Sequence, residues 1–116
     1  MQDHALFAAG AVTIAAALAH GILGETRVFA RAQIAPARLR LLLRLVWQCG
    51  TLAWIGIGVL LAAAPLLASA PARAWIVGIA VAVLGPAVAA NAWATRFRHF
   101  GWAVLALACI LALAGL

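Results

Sequence analysis

The sequence predicts an all-α membrane protein: four transmembrane helices in an up-down-up-down bundle, both termini on the periplasmic side of a bacterial inner membrane. Three observations lead there. Of the 116 residues, 69% are hydrophobic and 9% charged, too few charges to cover a soluble domain of this size. The apolar residues fall into four runs free of charge. The arginines crowd into alternate gaps between those runs, as topology determinants do.

The first helix is expected over about residues 5–24, apolar except for Thr13 and His20. Its leader Met1–His4 carries no Lys or Arg and the run exceeds a signal-peptide h-region, so the expectation is a retained helix. The connection Glu25–Ala35 mixes arginines with Val28, Phe29 and Ile34, and reads as a short amphipathic helix along the headgroups. Pro36 suits the first turn of the next helix.

That second helix is expected over about 40–64, ended by Pro65 and Pro71, the third over 74–95 and the fourth over 100–116. At about 1.5 Å per residue each covers a hydrocarbon core of about 30 Å, the last only just. In lipid the backbone must satisfy itself, so the runs are helices, not strands. Short connections join antiparallel neighbours in one domain, 1–116. Pro86 is expected to free the carbonyl of Ala82 and kink the third helix.

Orientation follows from arginine. Arg27, Arg31, Arg38, Arg40 and Arg44 lie in or beside the first connection, Arg96 and Arg98 in the third, and Arg73 alone in the second. Seven against one places the first and third connections in the cytoplasm. The net charge of +6 is therefore a membrane signature; a nucleic-acid module spreads its basic residues over a soluble surface.

Polar residues within apolar runs are costly and each requires a reason. Thr13, Ala17, His20 and Gly24 share one face of the first helix, where small residues let helices approach closely. Arg40, Arg44, Gln48 and Thr51 form a stripe on the second helix that is expected to face the bundle, its arginines snorkelling to phosphates. Asn91 and Thr95 lie near the end of the third, which also carries the small-residue face Gly78, Ala82, Gly85 and Ala89. His20, Glu25, Arg44, Gln48 and Asn91 thus form a candidate polar cluster at the cytoplasmic end. His20 is expected to hydrogen-bond Gln48 or, failing that, Asn91. Glu25 is expected to pair with an arginine and order the first connection, while the periplasmic half reads as nearly featureless.

Trp47 and Trp102 are expected at the cytoplasmic interface, Trp75 at the periplasmic one, and Trp54 and Trp93 in deeper packing. Cys49 and Cys109 sit in apolar runs without C-x-x-C spacing, as small buried hydrophobes rather than a metal or disulfide site. Neither cofactor nor metal is expected.

The stretch Ala19-His20-Gly21-Ile22-Leu23-Gly24-Glu25, followed by Leu45-Val46-Trp47-Gln48, resembles small uncharacterised four-helix membrane proteins of proteobacteria. Those show a His-x-x-x-Gly-Glu element after the first helix and a Trp-His pair opening the second; here Gln48 stands at the histidine's place. The resemblance covers the first half of the chain and implies no activity. In size and helix count the chain also resembles small multidrug transporters and fluoride channels. It departs from the first in lacking a mid-helix glutamate and a tyrosine, and from the second in lacking the Gly-rich Asn motif and phenylalanine pairs.

The expected function is a non-enzymatic accessory or structural component acting through helix contacts with itself or another membrane protein. The alternative is a small oligomeric transporter or channel with its polar site at the cytoplasmic end. Without a Ser-His-acid set, paired carboxylates or metal-ligand spacing, an enzyme ranks third.

Overall fold

The computed structural model describes residues 1–116. Helix α1 spans Gln2–Leu23 and runs on through a π-helical turn, Gly24–Phe29. Helix α2 spans Ala37–Ala63 and closes in a 3-10 turn, Ala64–Leu66. Helices α3 and α4 span Ala70–Thr95 and Gly101–Ala114. The first connection is therefore not a separate helix on the headgroups. Its first half continues α1, because Glu25 and the carbonyl of Phe29 are both held by α2 side chains.

Three helical segments are long and apolar enough to cross a membrane: Gln2–Phe29, Ala37–Leu66 and Ala70–Thr95. Helix α4 is shorter than the expected 100–116. Its 14 residues rise about 21 Å, because the turn before it passes through two left-handed residues, Arg96 and Phe97 (φ 50° and 60°), and leaves Phe100 as the cap. Helix α3 begins earlier than expected. Ser69 accepts the Ala72 N–H at 3.3 Å and Pro71 falls in the first turn, where its missing N–H costs nothing. The helix then continues unbroken through Pro86.

Only 20 of the 116 residues are buried, while Leu52, Trp75 and Trp93 are 68–87% exposed; such a surface suits lipid, not water. Trp93 thus points outward rather than into deeper packing, and Cys49 is exposed as well.

Helix α1 packs against α2 and α4, and α3 against α4, while α2 and α3 meet sparingly. The α1–α2 contact is backbone on backbone. A Cβ on Gly10 would stand 2.6 Å from the Gly58 carbonyl oxygen, and one on Gly58 2.9 Å from that of Gly10. The face foreseen on α1 does turn inward, with Thr13, Ala17 and Gly24 buried. That on α3 does not: Gly78 and Ala82 are exposed, and a Cβ on Gly78 or Gly85 would meet nothing within 4 Å.

An apolar cluster of Leu6, Ala9, Leu61, Ala64, Val77, Ala80 and Ala112 fills the end holding both termini. This end is not featureless. Arg73 donates to Asp3 at 2.9 Å and to the carbonyls of Leu67 and Pro65 at 2.9 and 3.0 Å, and Gln2 donates to the Leu116 carbonyl at 2.9 Å.

Candidate functional site

The arginine-rich end is organised by the π-helical turn. A turn of this type widens the helix and redirects its side chains and carbonyls. Here α2 supplies side-chain donors to it and to the last turn of α1. Arg40 donates to the Phe29 carbonyl, Trp47 Nε1 to that of His20 at 3.0 Å, and Gln48 Nε2 to that of Gly21 at 3.2 Å. The helical spacing of Arg40, Arg44, Gln48 and Thr51 makes this possible by setting all four on the side that meets α1.

Glu25 lies at the centre. Its Oε2 accepts from Arg44 Nε at 2.6 Å and Nη2 at 2.5 Å, and its Oε1 from Gln48 Nε2 at 2.9 Å. Both carboxylate oxygens are engaged, so Glu25 is a fixed anchor. The expected arginine partner is Arg44, and Arg40 likewise binds protein, at the Phe29 carbonyl.

His20 does not bond Gln48 or Asn91. The Gln48 amide is turned to Glu25 and Gly21, and His20 finds aromatic neighbours instead. Its imidazole lies parallel to the Trp47 indole, with ring centres 4.2 Å apart and planes 1° apart, and Trp54 covers it at 4.6 Å and 39°. Phe29 meets Trp47 edge-on at 5.7 Å. Trp47 is thus a packing residue with a hydrogen bond.

Gly24 makes the arrangement possible. A Cβ there would fall 2.2 Å from Trp47 Nε1, and one on Gly21 2.9 Å from Thr51 Cγ2. The His-x-x-x-Gly-Glu and Trp-Gln elements noted in the sequence are therefore one contact: His20 stacks on Trp47, Gly24 admits it, and Glu25 holds Gln48.

Asn91 stands apart from this cluster. Its backbone carbonyl accepts from Thr95 at 2.7 Å, and its side-chain Oδ1 is buried without a partner. Between Asn91 on α3 and His20 on α1 lies a cavity of 760 Å³, in the size range of ligand pockets. Its walls include Ala16, Trp54 and Leu105, and Arg27, Arg31 and His99 line it too. Nothing in the residue pattern announces it, because a cavity depends on which helices fail to touch. No group of three His, Cys, Asp or Glu is placed to hold a metal ion.

No protein-family model matches the chain, and no curated protein or solved structure matches it either.

Proposed function

We propose that the chain is a non-enzymatic, multi-pass component of a bacterial inner membrane that works by helix-to-helix contact, with a second copy or with another membrane protein. The observation that carries this reading is the outward stripe Gly78, Ala82, Gly85 and Ala89 on α3, with open space over Gly78 and Gly85. Small residues let two membrane helices bring their backbones together. Within this chain, Gly10 and Gly58 already use that chemistry to join α1 and α2.

Ala82→Cys, in a Cys49→Ser, Cys109→Ser background, tests it by cross-linking in native membranes. A discrete adduct that disappears on adding Gly78→Leu and Gly85→Leu is expected. Absence of an adduct from cysteines placed anywhere along 78–89 would refute the reading.

In this proposal both termini are periplasmic and α4 completes a fourth crossing. The seven-to-one arginine bias supports the orientation. The crossing is supported by the place of Leu116, level with Gln2 at the start of α1. A small oligomeric transporter with a cytoplasmic site is the second reading, favoured by the 760 Å³ cavity. Against it, the other end is filled by apolar side chains, whereas a conduction path is lined at every depth.

A further inference from the structure

The chain has two acids, Asp3 and Glu25, and both are committed, to Arg73 and Arg44. Arg27 and Arg31 therefore have no side-chain carboxylate of this chain left to bind, yet both line the cavity between α1, α3 and α4. Glu25 and Arg27 lie two residues apart on the π-helical turn and serve different sides. Glu25 meets α2, and Arg27 lines the cavity. Deeper in, the lining is apolar, with Ala15, Ala16 and Leu105 on its walls. Along α1 the separation of Ala15 from Arg27 is about 18 Å, close to the roughly 15 Å of one leaflet's hydrocarbon.

We propose that this cavity binds a single-chain anionic amphiphile, its carboxylate or phosphate headgroup held by Arg27 and Arg31 and its acyl chain laid along Ala15, Ala16 and Leu105. Guanidinium groups suit either headgroup because their paired N–H donors match two oxygens of the anion. A neutral chain of the same length gains only the apolar walls, and a free anion gains only the arginines. The inference is independent of the contact role assigned to α3.

The test uses Trp47 and Trp54, both on the cavity wall, as fluorescent reporters after Trp75→Phe, Trp93→Phe and Trp102→Phe. The protein is placed in phosphatidylcholine vesicles and titrated with 9,10-dibromostearic acid, whose bromines quench nearby indoles. The neutral 9,10-dibromostearyl alcohol and the corresponding alkyl phosphate are titrated in parallel. Saturable quenching by the acid, the phosphate or both, at a mole fraction at least tenfold below the alcohol, is expected, and the two anions show which headgroup is preferred. Arg27→Gln with Arg31→Gln removes that advantage, whereas Arg38→Gln, outside the cavity, leaves it. Ala19→Leu narrows the wall with every charge retained and weakens quenching by acid and alcohol alike. Equal quenching by acid and alcohol overturns the proposal. So does an equal loss in Arg38→Gln, which would reduce the effect to overall charge, or full displacement by inorganic phosphate, which would leave no part for the chain.

Discussion

The indole of Trp47 holds His20 twice: it lies 4.2 Å from the imidazole and parallel to it, and its Nε1–H donates to the His20 carbonyl oxygen at 3.0 Å. One side chain of α2 thereby fixes both the ring and the backbone of the same α1 residue, just before the π-helical turn.

His20→Phe is expected to keep the stack and most of the stability. His20→Ala loses it, at a cost of about 0.5–1.5 kcal/mol beyond the lost area. Reversible unfolding in mixed micelles measures both; equal stability of the two variants would show that the stack contributes nothing.

Gly24→Ala puts a methyl where Trp47 Nε1 stands. Overpacking of this kind costs about 1–3 kcal/mol. Trp47→Phe in the same chain removes the clashing atom, so the double variant is expected to lose less than the sum of the two singles. Strict additivity would place the collision elsewhere.

Arg44→Gln removes a half-exposed ion pair, its side chains 50% and 32% exposed. The expected loss of thermal stability is small and shrinks with salt, since the screening length falls from about 10 Å at 0.1 M to about 3 Å at 1 M. A loss that is large and insensitive to salt would mean that Arg44 acts through packing.

Arg96 adopts a left-handed conformation at the end of α3. That geometry costs a side-chain-bearing residue roughly 1–2 kcal/mol, and glycine is freer there at an entropic cost of roughly 0.5–1 kcal/mol. Arg96→Gly is therefore expected to stabilise the fold by about 0.5–1 kcal/mol in detergent. Lower stability would show that the arginine makes a compensating contact.

A reporter active only in the periplasm, fused after Leu116, is expected to be active, and a cytoplasmic reporter inserted near Pro36 likewise. The reverse pattern would invert the orientation, and activity in both compartments would mean dual insertion.

Charge-free runs located α2 and α3 to within a few residues, 40–64 against Ala37–Ala63 and 74–95 against Ala70–Thr95, because insertion in lipid is decided by composition. Periodicity found the buried face of Thr13, Ala17 and Gly24 for the same physical reason. It could not tell which small-residue stripe has a partner: Gly58 and Gly78 look alike in sequence, yet one touches Gly10 and the other touches nothing. The π-helical turn leaves no local signature. Its evidence lies 11 to 23 residues away, in the α2 side chains that hold it. Without the turn, His20 and Gln48 read as hydrogen-bond partners; with it, Gln48 belongs to Glu25.

Arg73, at the start of α3, is the one donor shared by Asp3, Pro65 and Leu67. The beginning of α1 and the turn that ends α2 therefore share a single fastening, carried on the first turn of α3.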